Sequence, residues 1–91
     1  MENEKRDLLR AIEILINICQ FYGVSYDNND YYMLLNVQEL LPLLGAENLE
    51  VTPDLIELVL RLTSNIKTLI DLFPDAETEK KLKTIYKLIK K

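Results

Sequence analysis

The chain has 91 residues, a formal net charge of −4 and a hydrophobic fraction of 48%, which is ordinary for a globular protein and argues against wholesale disorder. It holds no histidine, one cysteine and two glycines, so the commonest general base, a Cys/His zinc site and a phosphate-binding glycine loop are excluded. The length predicts a single domain over residues 1–91, and scarce Gly and Pro favour helix over sheet within it.

The first predicted helix starts near Asn3, which can cap it, and ends at Gly23, a residue type common just after a helix C-terminus. Its apolar side chains cover an arc of about 200°, broader than the roughly 100° of an ordinary surface helix. We infer that this helix touches neighbours on two sides. These are either two helices of its own chain, or one of its own and one from a partner.

Residues 24–30, VSYDNND, are predicted to form a loop in which Asn29 or Asp30 caps the second helix. The loop is rich in oxygen ligands, but a calcium-binding EF-hand needs Gly at its sixth position. Neither the register that starts at Asp27 nor the one that starts at Asn28 supplies it. The sequence therefore predicts a capping turn, with no metal and no cofactor.

The second predicted helix begins around Tyr31, in the segment YYMLLNVQELLPLLG. Pro42 lacks a backbone donor and disfavours helix at the residue before it, so we expect the helix to end near Leu40 or to kink there. A short helical turn closing at Gly45 would then follow. The segment's clearly polar residues are only Asn36, Gln38 and Glu39. Much of it must therefore be buried in the bundle.

The third predicted helix has the clearest start signal, Thr52-Pro53-Asp54, and runs to about Phe73, where Pro74 ends it. Its apolar residues recur at the spacing of one helix face. Asp75 is predicted to cap a fourth helix that continues to the C-terminus. Together these elements predict a compact all-α four-helix bundle, or five helices if the chain breaks at Pro42.

Charge is unevenly spread, because residues 1–79 hold all fifteen acids whereas residues 80–91 hold six lysines and no acid. The simplest interpretation of the lysines is a solvated helix end that matches the helix dipole. Contact with nucleic acid or with an acidic membrane surface is the alternative. The candidate basic patch consists of Lys80, Lys83, Lys87 and Lys90.

A faint resemblance to a helix-turn-helix is carried by LLPLLGAENLEVTPDLIELVLR, with Gly45 at the turn and residues 53–61 as the reading helix. A recognition helix presents polar and basic side chains to DNA, whereas this one offers Asp54, Glu57 and a single Arg61. The acidic body would also repel phosphate. We therefore expect no nucleic-acid partner. A divergent helix-turn-helix DNA-binding regulator is the less favoured of two alternative functions for this chain.

Surplus apolar surface, on the first helix and on residues 31–44, is more than four helices can be expected to hide. A homodimer or a foreign protein would cover it, and the acidic body favours a partner with a basic surface. Tyrosine is a frequent interface anchor. The candidate partner-binding residues are Tyr26, Asp27, Asp30, Tyr31, Tyr32 and Glu39.

These features predict a small protein-binding module and not an enzyme: an inhibitor or regulator that occupies a surface of a larger macromolecular complex. Small acidic helical phage proteins that block host defence complexes are similar in size and charge. Cytosolic bacteriocin-immunity proteins are similar in length and helix number, which gives an immunity or antitoxin-like protein as the alternative. Without a secretory signal or an apolar run of about 18 residues, we expect a cytoplasmic protein of a bacterium or infected cell.

Overall fold

The computed structural model describes residues 2–24, 28–45, 48 and 50–89. Within these residues, the helices are α1 (Glu2–Phe21), α2 (Asn29–Leu44), α3 (Pro53–Leu72) and α4 (Ala76–Ile89). The predicted all-α four-helix bundle is confirmed. α1 and α3 each contact all of the other helices, whereas α2 and α4 make no contact with each other in the described part of the chain. They therefore lie on opposite sides of the α1–α3 pair.

The wide apolar arc of α1 is covered inside the chain, because this helix packs against α2, α3 and α4. Its core residues are Leu8, Ala11, Ile12, Leu15, Ile16, Ile18 and Cys19. Of the two expected arrangements, the structure shows the one with neighbours from the same chain. This corrects the expectation that α1 has apolar surface to spare along its length. Among the described side chains of α1, Phe21 at its C-terminal end is the one large apolar residue left exposed.

Of the two predictions for the ends of α1, the one for its start is wrong and the one for its end is confirmed. The helix begins at Glu2, so Asn3 is a helical residue and not the cap. At the other end, Gly23 has a φ of +69°, which glycine adopts far more readily than other residues. The backbone N–H of Val24 donates to the Cys19 carbonyl at 2.9 Å, and that of Gly23 to the Gln20 carbonyl at 3.2 Å. This is the Schellman pattern that Gly23 predicts.

The N-terminus of α2 is capped one residue earlier than predicted. The side-chain oxygen Oδ1 of Asn28 accepts a hydrogen bond from the backbone N–H of Tyr31 at 3.1 Å. A capping side chain reaches the N–H three residues ahead, and this places Asn29 and Asp30 inside the helix. The prediction that Asn29 or Asp30 forms the cap is therefore wrong.

Pro42 does not break α2, which continues to Leu44 and is followed by Gly45 with a φ of +84°. The expected break near Leu40 and the fifth segment are absent from the described residues. A proline inside a helix removes one backbone hydrogen bond, here to the carbonyl of Gln38. Because Pro42 stands in the last turn, the helix loses little before it ends.

Local signals at the starts of α3 and α4 are confirmed. Thr52 Oγ1 accepts a hydrogen bond from the Leu55 N–H at 3.1 Å, with Pro53 as the first helical residue. At the start of α4, Asp75 Oδ2 accepts from the Thr78 N–H at 3.0 Å and from the Thr78 hydroxyl at 2.7 Å. These bonds stabilise the Asp75 carboxylate, and they hold the pKa of this group below its usual value.

The core is built mainly from α1 and α3. The buried apolar residues of α3 and α4 are Leu58, Val59, Leu62, Ile66, Ile70, Leu82 and Ile85. Among the described side chains of α2, only Tyr31 and Leu34 are fully buried apolar residues. α2 thus lies on the bundle with one side in the core and the other in water.

In the described part of the chain no helix is both long and apolar enough to cross a membrane.

Candidate partner-binding surface

α2 directs large apolar side chains into solvent. Tyr32, Met33, Leu40 and Leu43 are exposed by 49%, 51%, 49% and 81%. At about 100° per residue they share one side of the helix with Asn36, opposite Tyr31 and Leu34. We call these four apolar side chains the α2 face. It exists because the segment is apolar all round, so any side that packs on the core leaves another apolar side outside.

A groove between α2 and α3 adjoins the α2 face. Its lining residues are Met33, Val37, Asp54, Leu55, Glu57, Leu58 and Arg61. Met33 belongs to both features, so the apolar surface continues from the α2 face into this α2–α3 groove. The floor is apolar, with Leu58 buried and Val37 and Leu55 half-buried, whereas Asp54 and Glu57 are exposed at the α3 edge.

Arg61 is the basic residue of the groove, and its charge is already engaged. Its Nε and Nη2 atoms each donate to a different carboxylate oxygen of Asp30, both at 2.9 Å. This hydrogen bonding and the charge of Asp30 raise the pKa of Arg61 above its ordinary value. A carboxylate oxygen of Glu57 lies 3.9 Å from Nη1, too far for a hydrogen bond. The groove is therefore acidic in balance.

The structure separates the candidate partner-binding residues that the sequence groups together. Tyr32 and Glu39 are exposed on α2, but Tyr31 is only 4% exposed and belongs to the core. This corrects its expected place on a docking surface. Asp30 is held by Arg61. Tyr26 and Asp27 lie outside the described residues.

Sequence reasoning predicted surplus apolar surface on residues 31–44 but did not name Met33, Leu40 and Leu43 as the side chains that form it. One signal was available: Tyr32, Asn36, Leu40 and Leu43 follow helical spacing, and Asn36 marks that side as the wetter one.

The basic patch lies on the other side of the molecule. Lys80, Lys83 and Lys87 are exposed on α4, which does not contact α2 in the described residues. Lys90 lies outside the described residues. The lysines thus form a surface separate from the α2 face.

A second apolar surface lies where α1 and α3 end. Phe21, Leu72 and Phe73 are exposed there. The Tyr22 hydroxyl donates to the Phe73 carbonyl at 2.8 Å, and the rings of Phe21 and Tyr22 meet edge to face. We call these three exposed side chains the bundle end. The bond from Tyr22 joins α1 to the α3–α4 turn beside this surface, so this region of the molecule has a structural role.

Among the described residues, no group of three or more Cys, Asp or Glu side chains is arranged to hold a metal ion. Cys19 is completely buried, and burial raises the pKa of its thiol to about 12. No family model matches the chain, and neither the curated proteins nor the solved structures give a significant match. What the fold and its surface define is a four-helix bundle that displays one apolar helix face beside an acidic groove.

Proposed function

We propose that this chain is a protein-binding module, an inhibitor or regulator that acts by occupying a surface of a larger macromolecule. The observation that supports it is the α2 face, where four large apolar side chains of one helix remain in water. Removing apolar surface from water gains about 25 cal/mol per Å², and contiguous exposed apolar patches are typical of interaction sites. A partner that covers this face would therefore gain stability from contacts that the folded chain leaves unused.

The α2 face is a better candidate than the bundle end for two reasons. It continues into the α2–α3 groove, so a partner has a concave surface to fill, and fully desolvated pockets are where interface hot spots concentrate. It also carries Tyr32 and Met33, and Tyr and Met are enriched at interfaces. Beside the bundle end, in contrast, the Tyr22 hydroxyl bonds the Phe73 backbone carbonyl and fastens α1 to the α3–α4 turn.

The overall charge of the chain supports a basic partner surface. Long-range attraction between an acidic protein and a basic surface speeds association and disfavours wrong partners. A nucleic-acid channel of a larger enzyme is such a surface, and carboxylates can occupy positions that phosphates would take. Inhibition by occupation of such a channel is the form of regulation that we propose.

Paired charge insertions test the assignment. The variant Leu40→Asp/Leu43→Asp places two carboxylates on the α2 face, while Leu72→Asp makes the same change at an equally apolar exposed site of the bundle end. Both should keep the helical circular dichroism of the wild type, because none of the three leucines is buried. We expect a partner captured from cell lysate by the wild type and by Leu72→Asp to be lost with the α2 variant.

The captured protein is then purified, and its affinity is measured directly with the same three forms of the chain. Loss of two central apolar contacts should weaken binding by about a thousandfold, since hot-spot residues contribute about 2 kcal/mol or more each. Equal capture by all forms, or loss only with Leu72→Asp, would exclude the α2 face. Light scattering that finds a wild-type dimer and a monomeric α2 variant would instead make this face a self-interface.

A further inference from the structure

We infer that the segment received by this surface is an amphipathic helix with basic residues on both flanks of its apolar side. The inference rests on the proposed function and specifies the partner of the same site. It follows from two independent features, the spacing of the exposed apolar residues and the charges that border them.

The spacing indicates a helical occupant. Met33, Leu40 and Leu43 of the α2 face, with the polar Asn36 between Met33 and Leu40, follow one another at intervals of three, four and three residues, the repeat by which one helix packs along another. From Tyr32 to Leu43 the face extends about 17 Å at 1.5 Å per residue, or roughly three helical turns. A helix that lies along α2 would also place side chains in the α2–α3 groove, a common mode of peptide recognition.

Acidic residues border the α2 face on both sides. Glu39 is exposed beside Tyr32 on the flank away from α3, and Asp54 and Glu57 are exposed on the α3 flank. No lysine or arginine occurs between Arg10 and Arg61, and Arg61 is bound by Asp30. Lys or Arg on both flanks of an incoming helix would therefore meet opposite charge.

A second copy of the chain fits this surface poorly. In a symmetric dimer through the α2 face, the acidic flanks of the two copies would approach each other, and like charges across an interface are unfavourable. The chain's own basic helix, α4, cannot serve as the occupant either, because its apolar residues Leu82 and Ile85 are already buried in the core. The occupant is consequently a segment of a different protein.

Three synthetic peptides of about 18 residues provide the probe. They share one heptad pattern of Leu and Ile and differ only in the flanking residues, which are Lys, Gln or Glu. Binding is followed by fluorescence anisotropy at low and high salt. We expect the Lys peptide to bind most tightly and the Glu peptide at least about tenfold more weakly, with a difference that shrinks as salt screens the charges.

Charge reversal on the protein supplies the decisive comparison. Glu39→Lys/Glu57→Lys changes one acid on each flank and should reverse the order of the Lys and Glu peptides. Glu13→Lys/Asp71→Lys makes the same change in net charge at exposed sites elsewhere and should preserve it. Leu40→Asp/Leu43→Asp should abolish binding of all three peptides. Circular dichroism establishes that each variant is folded.

The outcomes separate this inference from the proposed function. If all three peptides bind equally, the basic-helix assignment is wrong, while the α2 face remains a docking site. If none binds but a captured partner still depends on Leu40 and Leu43, the partner segment is not an amphipathic helix. If no partner depends on the α2 face in the capture experiment, the proposed function itself fails. A wild-type dimer that the Leu40→Asp/Leu43→Asp variant dissociates would overturn the choice of a foreign occupant.

Discussion

The guanidinium of Arg61, in the middle of α3, binds both carboxylate oxygens of Asp30 at the start of α2. The two parallel hydrogen bonds, both 2.9 Å long, fix the relative orientation of the two side chains as well as their distance, because the planar guanidinium matches the geometry of the carboxylate. The pair joins the first turn of α2 to α3 beside the α2–α3 groove. It therefore holds the helix that carries the α2 face in register with its neighbour.

Replacing Arg61 by Lys should loosen the first turn of α2 without unfolding the bundle. Lysine keeps the charge but cannot make the two parallel bonds. We expect faster hydrogen exchange at the amides that follow Tyr31 in α2, with α4 unchanged. Glu57→Gln is the control, since the 3.9 Å approach of Glu57 to Arg61 is too long for a hydrogen bond. Equal exchange in the wild type and Arg61→Lys would mean that apolar packing alone positions α2.

Tyr31 and Tyr32 are adjacent in sequence, but the first is buried in the core and the second is half-exposed. Tyr31→Ala removes a buried ring, and we expect a loss of about 3–5 kcal/mol in the free energy of unfolding, as for other buried aromatics. Tyr32→Ala should change it by less than about 1 kcal/mol, because the ring is half-exposed. Urea unfolding followed by circular dichroism measures both. Should Tyr31→Ala fail to fold, Tyr31→Leu gives the same ordering. Similar losses for both would contradict the burial of Tyr31.

Much of the fold is predictable because several of its signals are local. Thr52, Asp75 and Gly23 each satisfy backbone groups within a few residues of themselves, and all three occupy their predicted positions. Such signals require no knowledge of the rest of the molecule. They set the start of α3, the start of α4 and the end of α1.

α2 is where prediction failed, since its sequence allows several solutions. Asn28, Asn29 and Asp30 are all good cap residues. In the structure Asn28 is the cap, and Asp30 instead bonds to Arg61, thirty-one residues away. The apolar residues that follow surround the helix on all sides. Which side is buried then depends on packing against α1 and α3, and the polarity of Asn36 is only a weak local signal that the side carrying Leu43 is the exposed one.

The cap of α4 predicts a pH dependence in acid. The pKa of Asp75 is lowered by its bonds from Thr78, with Lys81 adding a smaller effect. A lowered folded-state pKa means that the stabilisation is complete above the unfolded value of 3.8 and is lost as the pH falls through the lower folded value. The stability difference between the wild type and Asp75→Asn should therefore be largest near neutral pH and shrink below pH 3.8. Chemical unfolding between neutral and acidic pH measures it.

The hydroxyl of Thr78 provides the control for this cap. Thr78→Val keeps the shape of a buried side chain but removes the donor that lies 2.7 Å from Asp75 Oδ2. The pKa of Asp75, followed by NMR of its carboxyl carbon, should rise in this variant. An unchanged titration would show that the hydroxyl does not determine the shift.

The buried Cys19 predicts a loss of stability as the pH rises, whereas the Asp75 cap predicts a loss as the pH falls. Its thiol is fully buried, and burial raises its pKa from 9.0 to about 12 because the thiolate would lose its water. The protonated thiol is therefore favoured in the folded state. Its contribution is complete below pH 9 and is lost as the pH rises toward 12, at about 1.4 kcal/mol per pH unit. Because lysines and tyrosines titrate in the same range, the measured quantity is the unfolding free energy of the wild type minus that of Cys19→Ala.

Thiol labelling tests the same burial by a different route. At pH 8, a disulfide reagent, whose sulfur is attacked only by a thiolate, should modify Cys19 far more slowly in the folded protein than in the unfolded chain, and the rate should rise with urea. Labelling then requires opening of the bundle around α1, where Cys19 is surrounded by core residues. Rapid labelling that does not change with urea would mean that the thiol is accessible in the native protein, and the alkaline loss of stability should then be absent as well.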